Sequence, residues 1–263
     1  MQLYFIRHAQ SQNNALWNSR GDYSDRMEDP TLTEIGKRQA IFLADFLAQE
    51  NPISANTPRD MQNTTVFGLT HLYTSLMVRA VETSVVVARA LDLPLVAWVD
   101  LHEGGGVYRN NQETGERIGL PGNGRSYFET HFPELILPDW LDDSGWWNKP
   151  FETREDRKRR ARRVLEGLLH RHGDNPDRVA FFSHGGFYNH LLAAILNLRD
   201  RAGTQPPPSS VMELNADNVI LSSQISIWFE INNTAISRFD FTGEDIKIDY
   251  HNRVAHLPSD LIT

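Results

Sequence analysis

The chain has 263 residues, no cysteine and a formal net charge of −8 at pH 7. That length can bury a sizeable core without staples, and the missing cysteines exclude disulfides, a thiolate nucleophile and a cysteine-ligated metal. The acidic balance argues against a general nucleic-acid binder, so an anionic ligand has to rely on a local positive pocket.

The opening, Met1 to Gln10, has neither a basic n-region nor a long apolar h-region and does not read as a signal peptide. No stretch approaches the ~18 apolar residues of a membrane span. A cytoplasmic protein without membrane or nucleic-acid partners is expected.

The first element is the apolar run Leu3 to Ile6, a short buried strand. Arg7 and His8 follow at its C-terminal end, where α/β folds keep their ligand crevices. An imidazole there can attack an electrophile, and a guanidinium beside it can hold phosphate oxygens bidentately. Trp17 to Pro30 is polar and predicts a loop over the site. Thr31 or Thr33 then caps a helix that carries Ile41, Phe42 and Phe46. Asn51 to Asn63, rich in Pro, Asn, Thr and Ser, predicts another loop.

Leu72 to Thr74 is a second strand, and Met77 to Leu91 is a helix with Val81, Val85, Ala88 and Leu91 on one stripe. A third apolar run covers Leu95 to Val99. The pattern breaks between Gly115 and Pro150, where turn-rich sequence precedes Trp140, Trp146 and Trp147. This segment predicts a cap beside the pocket, its tryptophans mainly anchoring it to the core. Thr153 is the N-cap candidate for a long helix from Arg154 to His172. Val179 to Phe182 is a fourth strand and Gly185 to Leu196 the helix after it. Gln205 to Ser210 is a proline-rich breaker, and Ile225 to Phe241 and Ile246 to Tyr250 have β character. The alternation predicts a three-layer α/β/α sandwich with a mostly parallel central sheet. Residues 1–263 are expected to form one domain with an inserted cap around 115–150.

Strand ends thus deliver, in order, Arg7-His8, then Arg79 within Ser75 to Thr83, then Glu103 within Leu101 to Gly106, then His184 in Ser183-His184-Gly185-Gly186. This order resembles the histidine phosphatase superfamily, the phosphoglycerate mutase-like family. The resemblance runs from Leu3 to about Gly186, with a weaker echo in Asn233 to Ser237. The family's Arg-His-Gly hallmark is Arg7-His8-Ala9 here, which requires a backbone conformation acceptable to alanine. The resemblance implies that His8 is the nucleophile that becomes phosphorylated. It implies that Arg7, Arg79, Asn14 and His184 bind phosphate and that Glu103 protonates the leaving oxygen and later helps activate water. The chemistry agrees: phosphoryl transfer needs positioning and charge stabilisation, and arginines that cannot deprotonate suit a phosphate dianion. Nearby guanidiniums also disfavour imidazolium and keep a histidine nucleophilic.

Other features have blander readings. The run Arg157 to Arg163 is interleaved with Ala161, Val164, Leu165 and Leu168 and reads as a solvated helix face. His170 and His172 are not a recognised metal pair, and His102-Glu103 lacks the second helical histidine of a zinc protease. The expected activity is a metal-independent phosphatase without cofactor, acting on a small-molecule phosphate monoester. The runner-up is a phosphoglycerate mutase or related phosphotransferase. Gly104 to Arg109 does not carry the Glu-Arg-x-Tyr-Gly sequence of the mutases. A non-catalytic phosphate-binding module and a metallohydrolase are the remaining rivals. Substrate and oligomeric state have no sequence signal.

Overall fold

A computed structural model of the chain describes residues 1–21, 26–49, 60–64, 66–196, 214–215, 218–222, 225–243 and 245–263. In chain order its strands and helices are β1 (Gln2–Arg7), α1 (Gln12–Arg20), α2 (Glu34–Ala48), β2 (His71–Thr74), α3 (Val78–Leu91) and β3 (Leu95–Ala97). Then come β4 (Tyr108–Asn110), β5 (Arg117–Gly119), α4 (Arg125–His131), β6 (Leu135–Ile136), α5 (Arg154–His172), β7 (Arg178–Ser183) and α6 (Gly185–Leu196). The last strands are β8 (Leu214–Asn215), β9 (Asn218–Ser222), β10 (Ile225–Ile227), β11 (Ile236–Thr242) and β12 (Asp245–Arg253).

Seven strands form the central sheet in the order β12-β11-β1-β7-β2-β3-β6. The run from β1 to β6 is parallel, and β11 and β12 add an antiparallel edge beside β1. Alternate residues of a strand face opposite sides of the sheet, and β1 and β7 use both sides. Tyr4, Ile6, Ala180 and Phe182 pack with Leu43 and Leu47 of α2 and Val81 and Val85 of α3. Leu3, Phe5, Val179 and Phe181 pack with Val164 and Leu168 of α5 and Leu191 of α6. A parallel strand covered on both faces has to be apolar throughout, which is why Leu3 to Ile6 and Val179 to Phe182 are continuous hydrophobic runs.

Three local differences from the sequence reading have clear causes. Trp17 begins no loop: it lies in α1, whose N-cap Ser11 accepts from the Asn14 N–H while the Asn14 side chain accepts from the Ser11 N–H. This reciprocal capping box starts the helix, and Gly21, at φ +74°, ends it. The third strand stops at Ala97, and a 3-10 turn over Val99–Leu101 takes the chain to the site. The 115–150 segment is partly built into the sheet, because Leu95 and Val96 pair with Leu135 and Ile136. Its Trp146 and Trp147 are buried, whereas Trp140 is exposed. Thr33, Thr153 and the ends of α5 and α6 lie where the sequence places them. Gln205 to Ser210 and most of Asn51 to Asn63 fall outside the described residues.

Candidate active site

The site forms at the C-terminal ends of β1, β7, β2 and β3. Arg7 and His8 are clamped through their backbone. The His8 N–H donates to the Ser183 carbonyl at 2.9 Å, and the Arg7 carbonyl accepts from Thr234 at 3.1 Å. The His8 carbonyl accepts from the Asn233 amide at 2.9 Å. Ala9 is not among the residues with positive φ. Its methyl group packs with Leu32 and Ala40, and its N–H donates to Thr83 Oγ1 at 3.0 Å. The loop after His8 is pressed by α2: a side chain at Gly36 would place its Cβ 2.1 Å from the Gln10 carbonyl.

Nδ1 of His8 lies 2.7 Å from the Ala9 carbonyl. A carbonyl only accepts, so Nδ1 carries the proton and Nε2 keeps its lone pair. Arg79 donates its Nε–H to that Nε2 at 3.0 Å. Burial, and then the Arg79 and Arg7 guanidiniums, hold the His8 pKa well below the ordinary imidazole range. Arg79 is placed by the first turn of α3, with Ser75 Oγ accepting from the Met77 N–H at 3.1 Å.

His184 is fully buried between β7 and α6, its ring centroid 5.0 Å from that of His8. Its Nε2 hydrogen-bonds Ser75 Oγ at 3.0 Å. Its Nδ1 is buried without a hydrogen-bond partner among the described residues. Burial, then Arg79 and His8, hold it neutral as well.

Glu103 reaches the site from the turn after β3. Its Oε1 accepts from the Gly104 N–H at 2.7 Å and its Oε2 from the Gly186 N–H at 3.0 Å. The neighbouring His102 turns away and packs against Trp147, ring centroids 4.6 Å apart. The Asn14 oxygen accepts from Ser11 at 3.1 Å and from Asn233 at 3.2 Å, so its amide nitrogen is what it can offer a ligand. Arg7, His8, Asn14, Arg79 and Glu103 share the wall of one cavity of about 540 Å³. His184 lies behind His8 and does not line that cavity.

Several contributors escape a reading of sequence alone. Asp29 accepts from the Val78 N–H at 3.1 Å and sits 3.8 Å from the Arg79 guanidinium. Burial pushes its carboxyl up to about 6. Asn233 bridges His8 and Asn14 from the loop before β11. The Arg157–Arg163 run is only partly a solvated face. Arg159, Arg162 and Arg163 are exposed, but Arg157 lines the cavity and Arg160 is fully buried. Arg160 makes two 2.7 Å hydrogen bonds to the Glu152 carboxylate and donates to the Asp100 and His102 carbonyls at 2.7 and 2.8 Å. It thereby fastens the segment that carries Glu103. Helical periodicity marks Arg160 as core-facing, since it falls four residues before Val164; residue type concealed it.

Among the described residues, one group could hold a metal ion: His71, His172 and Asp177. It lies at the start of β2, the sheet end opposite the cavity. Hydrogen bonds already engage it: His172 contacts Asp177 at 2.8 Å and Tyr73 at 3.1 Å. No helix among the described residues is long and apolar enough to cross a membrane.

Known structures share this architecture. Mycobacterial glucosyl-3-phosphoglycerate phosphatase complexed with VO3 is 18% identical, with 95% of this chain and 98% of that chain covered and a TM-score of 0.51. A phosphoserine phosphatase mutant from Entamoeba histolytica, in complex with phosphoserine, is 17% identical over 98% and 99% of the two chains, with a TM-score of 0.53. YhfR of Bacillus stearothermophilus is 19% identical over 97% and 98%, with a TM-score of 0.51. At these identities the likeness is one of fold. A comparison with curated proteins finds no match. The family model of the histidine phosphatase superfamily, branch 1, matches residues 3–218, and the chain belongs to that superfamily.

Proposed function

We propose that the protein is a metal-independent phosphatase that hydrolyses small phosphate monoesters through a phosphohistidine at His8. The observation that carries this reading is the state of the His8 ring. Its proton is held on Nδ1 by the Ala9 carbonyl, its Nε2 keeps a lone pair that accepts from Arg79, and the ring lines the cavity together with Arg7 and Arg79. A buried neutral imidazole with a fixed tautomer is an activated nucleophile.

In the first step the Nε2 lone pair attacks phosphorus in line, and the P–O ester bond breaks. Glu103 gives a proton to the departing oxygen. Arg79 exchanges its hydrogen bond to Nε2 for the phosphoryl oxygens, which Arg7 and the Asn14 amide also stabilise, while His184 backs the His8 ring from behind the cavity wall. In the second step water attacks phosphorus and gives a proton to Glu103. The N–P bond breaks, and its electron pair returns to Nε2. Preorganised donors aimed at the transferring group supply most of the rate.

Rapid quench during turnover tests this reading. An acid-labile, base-stable phosphate should be trapped on wild-type protein and absent from His8→Ala, which should lose nearly all activity. Normal turnover by His8→Ala would reject the nucleophile. Activity should survive exhaustive EDTA treatment, and a loss restored by Zn²⁺ or Mg²⁺ would favour a metallohydrolase. With 3-phosphoglycerate and a 2,3-bisphosphoglycerate primer, rapid formation of 2-phosphoglycerate would replace the phosphatase by a mutase.

A further inference from the structure

We propose that the cavity holds a second anion subsite on the leaving-group side, built by Arg157 and Arg117 with Arg26. The preferred substrate is then a phosphate monoester whose alcohol carries a further anionic group. This inference rests on the phosphatase reading only for which end of the cavity takes the phosphoryl group.

The chain is acidic overall, with a net charge of −8, yet five arginines line this one cavity. Arg7 and Arg79 stand at the His8 end and match the charge of a phosphoryl dianion. The other three gather on an aromatic shelf. Tyr108 and Phe151 meet edge to face, their centroids 4.7 Å apart. The Arg26 guanidinium lies 3.9 Å from the Tyr108 centroid. Arg117 lies 4.7 Å and Arg157 5.3 Å from the Phe151 centroid. A guanidinium stacked on a ring keeps its N–H edge for an in-plane anion and has less freedom to lose on binding. The shelf itself is fixed. Phe151 fills the space above Gly105, at φ +96°, where any Cβ would come within 2.3 Å of the ring.

Position ties the cluster to the leaving group. Gly104 follows Glu103 directly, and a Cβ on Gly104 would lie 3.1 Å from the Arg157 guanidinium carbon. Arg157 is therefore one residue away from the acid assigned to the departing oxygen. Its Nε is buried without a hydrogen-bond partner among the described residues. The nearest carboxylate, Glu152 at 4.0 Å, is held by two hydrogen bonds from Arg160. His190, on the same wall, is held neutral, its pKa pushed to about 3 by burial and by Arg157 and Arg160. That is the sign of field an anion would find there. The cavity's other carboxylates, Glu28 and Glu230, are exposed at its rim and are screened by salt.

A matched ligand series tests the subsite: propyl phosphate, 3-(phosphonooxy)propanoate and 1,3-propanediol bisphosphate. Affinities are measured by calorimetry on His8→Ala, which needs no turnover. The series is repeated on His8→Ala carrying Arg157→Gln, and on His8→Ala carrying the exposed change Arg117→Gln. One or both ligands with an anionic tail should bind at least about tenfold more tightly than propyl phosphate, the scale of one charge-assisted hydrogen bond. Whichever ligand is favoured identifies the tail as carboxylate or phosphate. Each arginine substitution should shrink the preference severalfold. Equal affinities across the series, or a preference unchanged in both variants, would overturn the subsite. Wild-type turnover of p-nitrophenyl phosphate is followed in parallel. A retained affinity preference with no turnover rejects the phosphatase reading alone, and turnover without preference rejects the subsite alone.

Discussion

Nε of Arg79 and Nε2 of His8 are 3.0 Å apart, the guanidinium donating to the lone pair assigned to attack. The contact keeps a cation against the His8 ring and so resists its protonation. Arg79 is the largest cause after burial of the low His8 pKa. Replacing Arg79 by Ala should therefore raise the His8 pKa, while burial keeps it below that of a free imidazole. Nitrogen-15 NMR of the imidazoles can follow this titration. The same change should lower kcat/KM by roughly 10²–10³, the usual cost of one charge-stabilising donor. Arg79→Lys keeps the charge without the planar fork and should fall between. An unmoved His8 titration in Arg79→Ala would break the coupling.

Gly186 gives a separate handle on Glu103. A Cβ at position 186 would come 2.4 Å from the Glu103 carboxylate. The carboxylate is the far end of a flexible side chain, so it should swing away at little cost to the fold. Alanine also suits the start of α6 better than glycine does. Gly186→Ala should leave the melting temperature unchanged or slightly raised. It should slow alkyl phosphates more than p-nitrophenyl phosphate, whose leaving group needs little help from a proton. Glu103→Gln should show the same discrimination. Equal losses on both substrates in both variants would remove Glu103 as the leaving-group acid.

The sheet and its flanking helices were legible because their residues obey one rule at a time. Leu3 to Ile6 and Val179 to Phe182 are buried on both faces and are apolar without interruption. Thr33 and Thr153 cap helices where a hydroxyl meets free N–H groups. The ends of β1 and β7 carry Arg7, His8 and His184, and the segments after β2 and β3 carry Arg79 and Glu103. Legibility failed where a polar residue does a buried job. Arg160 sits in a run of arginines several of which are exposed, and its burial is answered by Glu152, eight residues earlier, and by the Asp100 and His102 carbonyls. Asp29 belongs to a polar stretch, and its link to Arg79 spans fifty residues of sequence. Asn14 starts α1 by capping, a reciprocal side-chain contact that hydrophobic periodicity does not register.

The Arg160–Glu152 pair predicts an asymmetric mutational cost. Removing one partner of a buried ion pair leaves the other charge uncompensated, typically costing ~3–5 kcal/mol. Arg160→Met should show a loss of that order in urea unfolding. Arg157, 4.0 Å from Glu152, is the cation left nearby and sets the value toward the lower end. The double change Glu152→Leu with Arg160→Met removes the stranded charge and should recover part of the loss. Recovery should stay incomplete, because the Asp100 and His102 carbonyls still lose their donor. A double variant no more stable than Arg160→Met would mean that the pair is not the source of the cost.

Asp29 makes stability depend on pH in a direction opposite to that of most carboxylates. Burial raises its folded pKa from 3.8 to about 6, against the opposing pull of Arg79 and the Val78 N–H. Between those values the folded protein binds the proton more tightly than the unfolded chain does. The contribution is therefore fully present below about pH 4 and is lost as pH rises through about 6. Its size is at most on the order of 3 kcal/mol. Asp29→Asn cannot titrate at this position, and its side-chain oxygen can still accept from the Val78 N–H. The stability of wild type relative to Asp29→Asn should thus decline between pH 4 and pH 7, read as the difference in urea midpoints at matched ionic strength. A difference that stays flat, or that grows with pH as for a carboxylate stabilised in its charged form, would show that the Arg79 contact outweighs burial at Asp29.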